Sequence, residues 1–344
     1  MLRSALLLAA ALAGPPAAEA SGVLSVALAG PPSADTSGVL SVALAGPPSA
    51  DTSGVLSVFN AGSLAAPFRE VFRAFRDRYP DIEPRSESSG SVEAARKLTD
   101  LGKVPDVLAV ADLAVLEQLV VPTHAAWGAA FASNAMVIAY RPDAPGSGRL
   151  SMDSWPEILT ASGVRIGRAD PGQDPAGYRA LMVFQLAERH YGQVGLERRL
   201  LANSGDRYVR PRSVELIALL QTGNLDYALE YRTVAKHSGL PFLELPDEVN
   251  LANPELAARY RAAKVSIPRS RRTQDLTLDF VGGPIAYGIA IPTRAPNPEA
   301  ARAFVRFLLG PEGRGILARN GFVLPKSQQI LGDRAAAARV LPPS

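Results

Sequence analysis

The sequence contains no cysteine. That excludes disulfides, thiolate metal sites and thiol nucleophiles together. It also excludes the lipid-modified cysteine that tethers many exported bacterial proteins to a membrane. Net charge is small, with 36 basic residues against 33 acidic ones and no long basic run, so nucleic acid is not an expected partner. Lysine is scarce, occurring only at Lys97, Lys103, Lys236, Lys264 and Lys326; arginine supplies the rest, which reads as codon bias and not as a binding signature. The histidines, His124, His190 and His237, lack metal-ligand spacing. No nucleophile elbow, phosphate loop or HExxH pattern occurs. What is present is a chain of 344 residues, 47% hydrophobic and 20% charged, which describes a globular protein long enough for two domains.

Residues 1–20 carry an export signature. Met1-Leu2-Arg3 is a short positive start, Ala5 to Ala13 is an apolar run too short to span a bilayer, and Ala18-Glu19-Ala20 supplies small residues at cleavage spacing. Gly14-Pro15-Pro16 would stop a buried helix there after about three turns. The chain is therefore expected in the periplasm, free and not lipid-anchored. Residues 21–36 (SGVLSVALAGPPSADT) recur without change at 37–52, and a third copy starts at Ser53 before diverging at Phe59. Two short copies bury no core, so 21–53 reads as a loose duplicated arm, with Val55–Phe59 as the first strand.

From residue 54 onward, short apolar runs alternate with amphipathic stretches, the pattern of an α/β fold with mostly parallel sheets. Strands are predicted at 55–59, 107–110, 135–141, 165–167, 227–231 and 286–291. Helices are predicted at 64–79, 91–102, 177–191, 214–223 and 298–309. Turn-rich breaks at 142–146 and 282–284 flank a middle block. They divide the chain into a first lobe of 54–141 with 283–330, a second lobe of 142–282, and a tail of 331–344. Two crossings of this kind make a hinge that closes a cleft.

Four segments put small polar residues where a strand hands over to a helix: Asn60-Ala61-Gly62-Ser63, Ser88-Ser89-Gly90-Ser91, Asp170 to Arg179, and Arg210-Pro211-Arg212-Ser213. Helix starts expose unsatisfied N–H groups and a partial positive charge, and in parallel sheets they gather at the ligand-binding edge. Glycine permits close approach and serine adds a donor. Each segment alone is also an ordinary capping sequence. Together they indicate an anion-binding cleft.

The run Phe59-Asn-Ala-Gly-Ser63-Leu, the Ser88–Ser91 turn, Asp174-Pro-Ala-Gly-Tyr178-Arg179 and Leu225-Asp-Tyr-Ala-Leu-Glu-Tyr231 resemble the tungstate and molybdate binding proteins of ABC importers. So do Phe242-Leu-Glu-Leu-Pro246-Asp and Gly283-Pro-Ile-Ala-Tyr287-Gly. The resemblance is to the branch first associated with archaea and covers residues 55–325. It implies a two-lobed type II periplasmic binding fold, an oxyanion ligand (molybdate or tungstate), no cofactor, no enzymatic activity, a membrane permease as partner and a monomeric protein. It implies contacts from Ala61, Gly62, Ser63 and Ser91 on one lobe, and from Asp174, Tyr178, Tyr231 and a second carboxylate near Ser213 on the other. Asp174 and Glu215 are then the candidate direct ligands of the oxyanion's metal centre.

The chain departs from that pattern at Ser213, where a carboxylate is expected. The nearest acid, Glu215, is rotated by roughly 200° on a helix. A serine there favours a tetrahedral, hydrogen-bonded anion. Asp174 beside a dianion is repulsive unless it is protonated, bound to the metal, or turned away to cap its helix. Sulfate, phosphate or an organic anion on the same fold is the alternative ligand. An enzyme using Asp174 as acid or base is the alternative class, with no paired nucleophile and base to support it.

Overall fold

The computed structural model describes residues 53–270 and 276–342. The expected signal peptide and nearly all of the expected arm lie outside these residues. In chain order the strands are β1 (Gly54–Ala61), β2 (Ile82–Ser89), β3 (Val107–Val110), β4 (Trp127–Ala132), β5 (Met136–Tyr140), β6 (Ile166–Ala169) and β7 (Val209–Arg210). They continue as β8 (Tyr227–Tyr231), β9 (Phe242–Glu244), β10 (Lys264–Pro268), β11 (Thr277–Val281), β12 (Tyr287–Ala290) and β13 (Ile330–Gly332).

These strands form two main sheets. The first has the order β13-β4-β12-β3-β1-β2 and the second β7-β6-β8-β5-β9, while β10 and β11 make a separate antiparallel ribbon. The first sheet thus draws on both ends of the folded chain and the second on its middle. The chain crosses between them at 133–135 and again at 282–286. This is the α/β, two-sheet architecture expected from the alternation of apolar runs and amphipathic helices.

Two expected boundaries shift. Residues 135–141, assigned to the first lobe, form β5, which pairs antiparallel with β8 and β9 in the second sheet. The crossing therefore precedes this strand; the break at Pro142 that suggested a boundary is only the turn leaving it. Of the tail expected at 331–344, the described residues 331–342 pack onto the first sheet. Leu331 and Gly332 pair with β4, Arg334–Ala338 is helical, and Ala337, Val340 and Leu341 are buried.

Each predicted strand has a counterpart, and two of those that were not predicted, β2 and β4, have local reasons. β2 reads IEPRSESS and is largely exposed along its length. It lies at the sheet edge, where Pro84 removes no needed donor. β4 reads WGAAFA, fully buried, with Trp127 and Phe131 separated by three small residues and no polar alternation. β3, in the sheet interior, is the buried run VLAV.

The helix Ala65–Arg78 turns Phe68, Val71 and Phe75 inward, as its spacing predicts. Phe68 and Phe75 meet Phe304 of the helix Pro298–Leu309 edge-to-face at 6.0 and 5.3 Å. Each such ring contributes about 1.5–3 kcal/mol by burial. The cluster locks both helices onto one face of the first sheet, which holds the turn after β1 in place.

Candidate functional site

The turns that follow β1, β2, β3, β6, β7 and β8 converge between the two sheets. After β1, Ala61 leads into a 3-10 turn, Gly62–Leu64, with Gly62 and Ser63 buried. A side chain on Gly62 would lie 3.4 Å from Val214 of the opposite lobe. Ser63 Oγ is 2.9 Å from the hydroxyl of Tyr287, at the start of β12. Ser91 opens the helix Ser91–Thr99, fully buried, and its Oγ accepts from Ala111 N at 2.8 Å.

On the second lobe, Asp174 caps the helix Pro175–Tyr191, whose proline at the first turn and Gly192 at the end are standard start and stop residues. Its Oδ1 accepts from Ala176 N at 3.0 Å and its Oδ2 from Ser213 N at 3.0 Å. One carboxylate therefore ties together two helix starts. Burial raises its pKa, opposed by those two N–H groups and by Arg179 and Arg212. Capping and a place in the site are not alternatives for Asp174.

Tyr231, ending β8, is 1% exposed and accepts from Arg179 at 2.7 Å. Arg179 also donates to Ala111 O at 2.8 Å and pairs with Asp112 at 2.8 Å, both on the first lobe. Burial works to lower the Arg179 pKa, but Asp112 and the surrounding tyrosines hold the guanidinium firmly charged. Tyr178 does not point at the serines. Its hydroxyl donates to Asp112 Oδ2 at 2.6 Å and its ring stacks on Phe280 at 4.4 Å.

Glu215 is not among the buried groups. It pairs with Arg212 at 2.7 Å with its side chain 30% exposed, apart from the buried Asp174 beside which it was expected to act as a metal ligand. The helical rotation that separates it from Ser213 carries it to the rim. A different carboxylate occupies the interior. Glu230 of β8 is fully buried; one oxygen accepts from Tyr231 N at 2.8 Å, and Oε2 has no hydrogen-bond partner. Burial pushes its pKa up to about 8, with Asp174 adding to the rise and Ser213 and Tyr231 N opposing it. Its sequence signal was a lone acid inside an otherwise apolar strand, YALEY; buried acids of this kind are rare without a task.

The two lobes touch around this cluster. Val92 N and Glu93 N both donate to Gln173 O, at 3.0 and 3.2 Å, and Arg96 donates to Gly172 O at 2.7 Å and to Pro268 O. The N–H groups at that helix start thus serve the other lobe, where the sequence pointed to an anion. The described residues hold no group of three or more His, Cys, Asp or Glu arranged for a metal ion, and no helix among them is long and apolar enough to cross a membrane.

Comparison with known proteins agrees with this architecture. Residues 56–323 match the family model of bacterial extracellular solute-binding proteins. An uncharacterized solute-binding protein of Petrotoga mobilis is 40% identical over 75% of this chain and 80% of its own length. The molybdate/tungstate-binding protein WtpA of Pyrococcus abyssi is 34% identical over 75% of this chain and 81% of its own. Among solved structures, the periplasmic molybdate-binding protein of Azotobacter vinelandii superimposes with a TM-score of 0.57 at 15% identity, covering 79% of this chain and all of that one. The sulfate-binding protein SubI of Mycobacterium tuberculosis gives 0.57 at 15% identity, over 83% and 89%. At such identities the structures speak for the two-lobed binding-protein fold alone. With the family model and these relatives, the chain belongs to the bacterial extracellular solute-binding protein family, a family of receptors and not of enzymes.

Proposed function

We propose that this protein captures a tetrahedral oxyanion, molybdate or tungstate, and delivers it to the membrane permease of an ABC importer. The observation that carries the reading is the composition of the buried interlobe cluster. The oxygen of each of three hydroxyls has a donor or hydroxyl neighbour: Ser91 faces Ala111 N, Tyr231 faces Arg179, and Ser63 faces Tyr287. Where the neighbour can only donate, as for Ser91 and Tyr231, the hydroxyl hydrogen is left for another acceptor. Donors held in place before the ligand arrives bind without reorganisation, and cavity size separates molybdate and tungstate from the smaller sulfate. The relatives named as molybdate/tungstate-binding proteins support the choice of anion.

Asp174 and Glu230 decide how the anion is held. The second carboxylate, expected near Ser213, is Glu230, and the unpartnered Oε2 gives it a free ligating atom. Two carboxylates on one side of the anion fit direct ligation of the metal centre and a six-coordinate ligand better than the tetrahedral mode that Ser213 alone suggested. Ser63, Ser91, Asp174, Glu230 and Tyr231 are the binding residues of this reading, with Ser213 supporting the carboxylates. Export by the segment 1–20, a periplasmic location without a lipid anchor, and a monomeric state complete it. The lobes are 54–134 with 282–342, and 135–281.

Calorimetry of the mature protein with molybdate, tungstate, sulfate and phosphate tests the function. Micromolar or tighter binding confined to molybdate and tungstate is expected, and no response to any of the four rejects it. X-ray absorption at the metal edge of the bound anion then reads four- against six-coordination directly.

A further inference from the structure

Asn134 lies in the short first crossing between β4 and β5 and is 1% exposed. Its Nδ2 donates to Thr233 Oγ1 at 2.8 Å and to the Tyr287 hydroxyl at 3.2 Å. Its Oδ1 accepts from Ala135 N at 2.9 Å and from Thr233 N at 3.4 Å. The orientation of this amide is dictated by its surroundings. Turned over, it would set its NH2 group against two backbone N–H donors.

The amide nitrogen is a donor that cannot accept, so the Tyr287 oxygen must receive its hydrogen. A phenol is a stronger acid and a weaker base than an aliphatic hydroxyl, and this one already accepts from Asn134. The 2.9 Å contact between Tyr287 and Ser63 therefore runs from the phenol to the serine. Ser63 Oγ then accepts, and its own hydrogen is left to point elsewhere. Donor direction passes from the hinge to the turn after β1 through two hydrogen bonds, and polarisation along such a chain strengthens each member.

We propose that Asn134 is a positioning residue that fixes the polarity of the chain Asn134 to Tyr287 to Ser63 and so aims the Ser63 hydroxyl hydrogen at the bound anion. The inference rests on the oxyanion reading of the site. Thr233 opens the second lobe's helix Arg232–Ser238, and through it the amide is also held by the lobe that closes. Hinge geometry and donor direction share this one residue.

Asn134→Asp reverses the polarity while keeping the shape. Four donors would surround the new carboxylate: Ala135 N, Thr233 N and the hydroxyls of Thr233 and Tyr287. It therefore stays ionised. Tyr287 must then donate to residue 134, Ser63 must donate to Tyr287, and a serine lone pair faces the anion.

Calorimetry with molybdate and tungstate on the purified full chain is expected to show a loss of about 30-fold for Asn134→Asp, from one donor turned into a repulsive acceptor. Asn134→Ala, although it removes more of the side chain, is expected to lose less, because the Ser63–Tyr287 pair is then free to point either way. Tyr287→Phe releases Ser63, so the double variant Asn134→Asp with Tyr287→Phe is expected to bind more tightly than Asn134→Asp alone. A residue with a merely structural role gives additive losses and the opposite order for Asp and Ala; either result overturns the proposal. Should Asn134→Asp fail to fold by circular dichroism, the Asn134→Ala and Tyr287→Phe pair carries the test. The relay makes the binding loss on Asn134→Ala smaller in the Tyr287→Phe background, where only the contacts to Thr233 and Ala135 N remain to be lost, than in the parent, and an equal loss in both backgrounds overturns it. Failure of the unmodified protein to bind either anion would instead reject the oxyanion reading.

Discussion

Glu230 holds a carboxyl in the interior with one oxygen on a backbone N–H and the other unpartnered. Its neutral form is the one burial favours, and Asp174 nearby adds to that preference. In the unfolded chain the group ionises near an ordinary glutamate value, about 4.3, whereas in the folded protein it holds its proton up to about 8. The folded state therefore binds the extra proton, and stability from this residue is full at low pH and drains away as pH rises through that interval. Glu230→Gln removes the titration. Chemical unfolding of the ligand-free protein from pH 5 to 8.5 is expected to show a variant more stable than the parent at the alkaline end by a few kcal/mol, with the gap closing towards pH 5. A parallel pair of curves would place the carboxyl in solvent. The same substitution should weaken molybdate and tungstate binding by 10-fold or more if Glu230 ligates the metal, since an amide is a far poorer ligand than a carboxylate.

At the scale of elements, the site depends on how closely a turn of one lobe approaches the backbone of the other. Gly90, just before the helix Ser91–Thr99, has an ordinary φ of −63°, which any residue adopts. A Cβ there would sit 2.2 Å from Gln173 O and 2.7 Å from its carbonyl carbon. That contact is with backbone of the opposite lobe, so alanine opposes closure and not folding of either lobe. Gly90→Ala is expected to leave the thermal midpoint of the ligand-free protein within 2–3 °C while weakening anion binding by about 100-fold or more, measured by calorimetry. Gly177 makes a contrast within one lobe. Its Cβ would lie 2.5 Å from Ala169 O and from Pro171 N, inside the β6-to-helix turn, so Gly177→Ala is expected to lower the midpoint itself, through overpacking of about 1–3 kcal/mol.

The elements themselves were largely legible from periodicity. The runs at 107–110 and 227–231 and the helix at 298–309 have the bounds that apolar spacing indicates. β2 and β4 escaped it for opposite reasons. An edge strand has little buried face to write an alternation, and a strand buried on both faces, with Trp127 and Phe131 separated only by glycine and alanine, has no polar residues to alternate with.

For the whole molecule, closure rests on a charge pair divided between lobes. Arg179 of the second lobe meets Asp112 of the first at 2.8 Å, with Tyr178 donating to the same carboxylate at 2.6 Å. Removing Asp112's charge leaves a buried guanidinium without its counterion, a situation that costs roughly 3–5 kcal/mol when nothing relaxes. An open form relieves it by hydrating Arg179. The penalty therefore falls on closure. Asp112→Asn is expected to weaken anion binding by about 100-fold while the ligand-free unfolding midpoint changes little. Small-angle scattering of the variant with saturating molybdate should give the compact radius of the liganded parent; with molybdate withheld it should be more open. A variant equally closed and equally tight would remove the pair from the closure mechanism.

The linear sequence determined what depends on neighbours along the chain. The α/β alternation, most helix starts with their Asp, Ser and Pro caps, the motifs that mark the family, and Ser63, Ser91, Asp174 and Tyr231 as residues at strand ends all follow from local spacing and composition. Tertiary structure decided what depends on groups distant in sequence. It moved the first crossing ahead of β5, folded 331–342 onto the first sheet, sent Glu215 to the rim and brought Glu230 inside. It also set the direction of the hydrogen bonds, because a hydroxyl's direction depends on whichever donor reaches its oxygen. For Tyr287 that donor is Asn134, 153 positions away along the chain. No local pattern encodes such a contact; only burial and the pairing of polar groups in the closed fold define it.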